Sequence, residues 1–321
     1  PQALRAFFLD SPPPDPPWLD RDAFGPGIRA FHANAVAILA AFVTGVLIDG
    51  FCTLISKSFV RTGRVLDRGV RRLRQNNRHM VELFFPGGLL REGDGWKLSV
   101  RIRFIHAQVR RLLRRSDEWD WDAWGMPVSA AHLGYAVACF SARTLKHSMS
   151  LGGSYTPEER ESFCAVWRYS GYLMGIPESI LYTDEKDALY LHEIGSTLEP
   201  PPTDDSVIMA NALINSAPLV AGIKDEKQRR FLVQDRIYPI SRALVGDEIA
   251  NRLNYPHSRK LRTMGILLQY RLDQRYKRFL SRMLRRSDST IDTVLGVSFY
   301  DDAGIPYHLP DHVHSEEASK W

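Results

Sequence analysis

Cysteine is scarce in this chain of 321 residues: Cys52, Cys139 and Cys164 stand far apart, with no CxxC pair. That excludes zinc-ribbon, thioredoxin-type and c-type haem attachment signals, and the odd count argues against a disulfide framework. Alternating strand patterns are nearly absent, confined to a stretch near Leu295 to Tyr300. No glycine-rich phosphate loop, HExxH or nucleophile elbow occurs. Neither sign of charge dominates: 42 basic and 37 acidic residues give a formal net charge of +5. Nucleic-acid binding would need those cations gathered on one face. The chain opens on Pro1 and shows no signal peptide. Its compartment stays open, cytoplasmic or secreted after loss of an upstream segment.

What the chain does have is apolar, helically spaced sequence: 44% of residues are hydrophobic and 25% charged. A chain this long buries a core with room for an internal ligand cavity. The most apolar run, Ala33 to Ile48, is closed by Asp49 and is slightly short for a membrane span. It reads as a buried core helix, with no transmembrane segment. Asp10 to Trp18 is rich in proline, which favours an extended strap over a helix. Helical periodicity then predicts helices over about 27–48, 51–60, 64–83, 97–116, 128–150, 157–174, 183–198, 205–222, 227–245, 247–254, 258–285 and 288–296. Breakers fit these ends: Pro86-Gly87-Gly88, Gly93 to Gly95, Gly152-Gly153, and Thr156-Pro157 as N-cap and first helical position. The expected fold is all-α. Its expected parts are a strap over 1–26, one helical domain over 27–300 and a polar tail over 301–321.

The helix over Lys97 to Arg115 carries the most chemistry. On a wheel of about 100° per residue, Leu98, Ile102, Ile105, Val109, Leu112 and Leu113 share one apolar face. His106 lies at its edge. Arg103, Arg110 and Arg114 flank the histidine on one side, while Arg101, Arg111 and Arg115 point to solvent. An apolar stripe, an imidazole and a guanidinium row suit a flat apolar ligand with a central metal and carboxylates at one edge, such as haem. The same spacing also suits a hydrogen-bonded histidine beside a solvated arginine face, or a phosphate-contacting stripe. The split of the arginines between two faces argues against nucleic acid.

Several blocks stand in order along the first 200 residues. They are Asp10 to Trp18, Arg61-Thr62-Gly63-Arg64, Pro86-Gly87-Gly88, Gly93 to Trp96, Val100 to Arg110, Trp124 to Val128, Phe140-Ser141, Pro157 to Arg160, and Trp167 to Pro177. The series resembles the haem b-dependent latex-clearing proteins (rubber oxygenases) and their MpaB-type oxygenase-like relatives. The resemblance implies a globin-like helical core with added helices around a haem cavity, and haem b (iron protoporphyrin IX) as cofactor. It makes His106 the proximal iron ligand, supported by Arg103 and Arg110. On the distal side it points to Arg72 and Asn76. Gln75 stands where the family places a lysine that caps the iron, and Asn76 where it places a threonine. Glutamine is a poor iron ligand, so a capped closed state is not expected here.

The function so implied is oxidation of an apolar substrate with dioxygen or peroxide, at its most specific the cleavage of an isoprenoid-type C=C bond. The alternatives are a non-catalytic haem or gas-binding protein, a haem peroxygenase or rearrangement enzyme, and a helical protein with an apolar pocket and no haem. His308, His312 and His314 have metal-like spacing interrupted by Pro310, which favours adventitious binding. His32 and His132 read as hydrogen-bonded core histidines, and His79 as a weaker candidate ligand. Asp117 to Trp124 reads as a tryptophan-held corner between helices.

Overall fold

The computed structural model describes residues 13–62 and 69–284, without the side chains at 69–72, 277 and 279–284. The helix expected over 288–296, the strand near Leu295, the C-terminal tail, its three histidines and Arg64 lie outside the described residues.

The described residues are helical, with no strand among them. The helices are α1 (Gly25–Ala41), α2 (Leu47–Phe51), α3 (Ile55–Arg61), α4 (Gly69–Leu83), α5 (Asp94–Leu113), α6 (Trp121–Trp124), α7 (Ala130–Ala138) and α8 (Thr144–Ser150). There follow α9 (Pro157–Leu173), α10 (Glu185–Leu198), α11 (Asp204–Val220), α12 (Glu226–Leu232), α13 (Tyr238–Val245), α14 (Asp247–Arg252) and α15 (Lys260–Leu284). Three π turns join helix pairs end to end: Phe42–Val46, Cys139–Arg143 and Val233–Ile237. The unbroken helices expected over 128–150 and 227–245 are each interrupted by one of them. Helical periodicity does not register the single extra residue that a wider turn takes up.

A 3-10 turn at Asp22–Phe24, α1, its π turn and α2 run on as one helical rod, Asp22–Phe51, of 30 residues, kinked at Asn34. By length and hydropathy it is long enough to cross a membrane, unlike the shorter run read from sequence. Burial decides its role: 78% of its most apolar window is inside the molecule. Asp49 is not a solvated terminator but a buried residue within the rod.

α9 lies along α1. Its start is fixed by a capping box, in which Glu159 N–H donates to Thr156 Oγ1 and Thr156 N–H to Glu159 Oε2. Between the two helices Phe84 is sandwiched, stacked on Phe31 at 4.7 Å and on Phe163 at 4.5 Å between ring centroids. α11 packs on α4, and α4 on α5. Lys57 of α3 pairs with Asp205 of α11 at 3.1 Å and lies 4.5 Å from the Trp124 ring centroid, tying α3, α6 and α11 together.

The proline strap, described from Pro13, docks on the outer end of α9. Tyr172 donates to Pro14 O, Tyr169 to Asp15, and the Arg168 guanidinium covers the Trp18 ring at 3.9 Å. The acidic-aromatic segment is the expected corner, and it contains a short helix, α6. Asp120 caps it, and buried Trp119 donates to Gly125 O and meets Trp124 edge-on.

Candidate functional site

α5 starts at Asp94, three residues earlier than the periodicity alone suggests, because Trp96 N–H donates to Gly88 O and seats the first turn. Leu98, Val109 and Leu113 are buried, while Ile102, Ile105 and Leu112 are half-buried. Arg101, Arg111 and Arg115 are exposed as expected. Arg114, the C-cap of α5, keeps helical backbone and is exposed too.

His106 is half-buried, with Nδ1 shielded from solvent. Arg103 precedes it by one turn. The Arg103 side chain lies against Gly175, which follows α9 at φ +84°, and a Cβ on that glycine would come within 2.6 Å of Arg103 Nε. Arg110 follows by one turn, and its Nη1 donates to Val128 O at 2.9 Å. Val128 has φ +48°, a left-handed conformation that is costly for a β-branched residue. Arg110 therefore anchors a strained point between α6 and α7. Burial lowers the Arg110 pKa, and repulsion from Arg103 adds to it.

α4 faces this helix. Gln75 and Asn76 are half-buried on it; Arg72 belongs to α4, but its side chain is outside those described. His79 is buried, and loss of hydration lowers its pKa to about 3. Its Nε2 is 3.0 Å from Ser99 Oγ, which is 2.9 Å from Ser170 Oγ. One polar chain thus joins α4, α5 and α9 through the apolar core, and His79 acts there as a neutral hydrogen-bonding group.

A second polar cluster escaped the sequence reading. Asp49 Oδ2 accepts from Arg143 Nε at 2.9 Å, lies 3.2 Å from His147 Nε2, and is 3.8 Å from His192 Nε2. Burial pushes the carboxyl up, but the His147 hydrogen bond and the charges of His147, Arg143 and His192 outweigh it, leaving a pKa of about 2. Burial lowers His192 to about 4, against the pull of Asp49, and its ring stacks on Tyr135 at 5.2 Å. A Cβ on Gly45, inside the first π turn, would lie 2.8 Å from the His147 ring. Arg143 closes the second π turn. The only sequence signal was an acid in an apolar run, since its partners lie more than 90 residues away.

His32 and His132 are satisfied as expected: His32 Nε2 is 2.9 Å from Phe84 O, and His132 Nε2 is 2.8 Å from Glu199. Cys139 and Cys164 are buried free thiols, and Cys52 is half-buried. Among the described residues no three His, Cys, Asp or Glu side chains are arranged around a common metal position.

Residues 29–286 match the family model described as the catalytic domain of the ER-bound oxygenase mpaB/B′ and rubber oxygenase. The chain belongs to this family. A rubber oxygenase from a Streptomyces species is 23% identical over 177 residues, which span 52% of this chain and 41% of that relative. The match thus covers well under half the length of the curated relative. The solved structure of a latex clearing protein in its closed state superposes with a TM-score of 0.75 over 97% of this chain and 83% of that one, at 16% identity. At that identity the likeness establishes the all-α fold of the family and nothing finer.

Proposed function

We propose that this chain is a haem b-dependent oxygenase of apolar substrates, in which His106 would hold the iron. The observation that carries the reading is the setting of His106, a half-buried imidazole one turn from Arg103 and one turn from Arg110, in a chain of an oxygenase family. The donor set fits the group. Imidazole binds iron as the neutral base, and two neighbouring guanidiniums disfavour its second proton. Burial, and then the Arg103 charge, lower the Arg110 pKa. Carboxylates such as haem propionates would pair with these guanidiniums.

When bound, haem supplies the activation of dioxygen or peroxide. The chain's own residues do the rest. His106 holds the group, and Arg103 and Arg110 orient its acidic edge. Ile102 and Ile105 supply apolar contact and exclude water. Arg72 and Asn76 of α4 are the proposed distal polar groups, with Asn76 able to donate a hydrogen bond from its amide. Gln75, between them on the same helix, would be a poor ligand for the iron. At its most specific the reaction is cleavage of an isoprenoid-type C=C bond by dioxygen, each carbon leaving as a carbonyl. A non-catalytic haem or gas-binding protein is the second reading, favoured by Gln75 and Asn76 at the positions where the resemblance expects lysine and threonine.

The test is an absorption spectrum of the purified chain after haem supplementation, followed by oxygen uptake and carbonyl formation with squalene or polyisoprene. A Soret band, lost or strongly shifted in His106→Ala, is expected. No Soret band in the parent chain refutes the haem reading, and an unchanged spectrum in His106→Ala removes His106 as ligand. A Soret band without oxygen uptake selects the second reading.

A further inference from the structure

α15 has two apolar faces, and among the described residues only one of them is packed. Its inner face, with Ile266, Leu267 and Tyr270, packs on Ala41, Leu151, Ile240 and Leu244. Its outer face carries Leu261, Met264, Leu268, Leu272 and Tyr276, which are 84%, 65%, 56%, 54% and 61% exposed. At spacings of three and four residues these five form a continuous stripe along about four turns of helix. A shallow depression along it is lined by Gly265, Leu268, Gln269, Leu272, Asp273 and Tyr276. Exposed apolar side chains scattered singly need no explanation, but a row of them along one helix does.

The charges beside the stripe say what covers it. Lys260 and Arg275 are exposed on the same helix, as are Arg262, which pairs with Asp235, and Arg271, whose Nε donates to Ser150 O at 2.7 Å; Asp273 is the only acidic residue between 260 and 284. A helix with an apolar face and a strongly cationic polar face is the pattern that lies in the interface of an anionic bilayer. The apolar stripe enters the acyl boundary while the cations meet phosphate and carboxylate headgroups. A second copy of this chain is a poorer occupant, because two such helices face to face would bring their cations together.

We propose that the outer face of α15 docks this protein peripherally on anionic lipid membranes. The proposal is independent of the cofactor reading, since it concerns a different face of the molecule and needs no turnover. It implies that an apolar molecule dissolved in a bilayer reaches the protein without crossing bulk water.

Vesicle co-sedimentation of the full chain tests it, using phosphatidylcholine alone and phosphatidylcholine with phosphatidylserine. Sedimentation with the anionic vesicles only, weakening as salt rises, is expected. Leu268→Asp with Leu272→Asp should abolish it. Lys260→Glu with Arg275→Glu should weaken partitioning by at least ~10-fold. All these positions are solvent-facing, so circular dichroism and Tm should match the parent chain. Equal binding to both vesicle types, or binding unaffected by the leucine pair, overturns the proposal, as does a parent chain that stays in the supernatant. So does a parent chain that runs as a dimer by light scattering and becomes monomeric in the leucine variant, since the stripe would then join two copies.

Discussion

At the scale of single residues, the position of Arg103 depends on the absence of a side chain at Gly175. Gly175→Ala would place a Cβ within 2.6 Å of Arg103 Nε, on backbone already at φ +84°. The conformation alone costs about 1–2 kcal/mol for a non-glycine residue. We expect a Tm lowered by several degrees and, if Arg103 orients the haem edge, weaker haem binding in a spectroscopic titration. Unchanged Tm and haem affinity would separate Arg103 from both roles. Most of α5 was legible at this scale. The wheel put Arg101, Arg111 and Arg115 in solvent and His106 at the margin, and the structure agrees. Arg114, on the histidine's side of the wheel, is exposed as well, because it lies at the open end of α5. The Asp49 cluster was illegible: no local pattern ties an acid in an apolar run to imidazoles on α8 and α10.

At the scale of helices, the contact between α1 and α9 is the most extensive among the described helices. Phe84, between Phe31 and Phe163, is fully buried. Phe84→Ala removes both stacks and leaves a cavity at the junction of three segments, at a cost of roughly 3–5 kcal/mol. Urea denaturation should show a midpoint lowered accordingly with little change in slope. A loss below about 1 kcal/mol would mean that the helices collapse onto the gap. Helix ends were readable wherever a side chain marks them, as Thr156 and Glu159 do for α9. The π turns were not, because Phe42–Val46 and Cys139–Arg143 have ordinary apolar helix composition and differ only in which carbonyl each N–H meets.

For the whole molecule, the buried histidines set the response to acid. His79 and His192 titrate at about 3 and about 4 in the fold, against about 6.5 in an unfolded chain. Below about pH 6.5 the unfolded chain therefore takes up protons that the folded chain refuses. Stability falls with pH by up to ~1.4 kcal/mol per unit for each histidine. Asp49, at about 2, adds its loss lower down, as pH drops from about 4 toward 2. The expected Tm is flat between pH 7 and 8 and declines from pH 6 to 4. His79→Gln, which keeps a hydrogen-bonding partner for Ser99, should flatten that decline. A Tm constant from pH 7 to 4.5 would mean that these histidines are charged in the fold. All-α architecture was legible from helical periodicity and the breakers at its ends, whereas the close approach of distant polar groups through the core was not.

The π turn in the α1–α2 rod also bears on how this chain tolerates changes in length. A π turn holds one residue more than the α-helical turn it replaces, so everything after it is rotated by about 100° relative to a straight helix. Asp49 meets Arg143 and His147 only with that rotation in place. Losing one codon anywhere in Phe42–Val46 would leave a plausible, even more regular helix. It would also swing Asp49 off its partners and strand a carboxylate among apolar side chains. A length change that looks harmless in a sequence alignment would thus break a buried polar cluster that joins three helical segments.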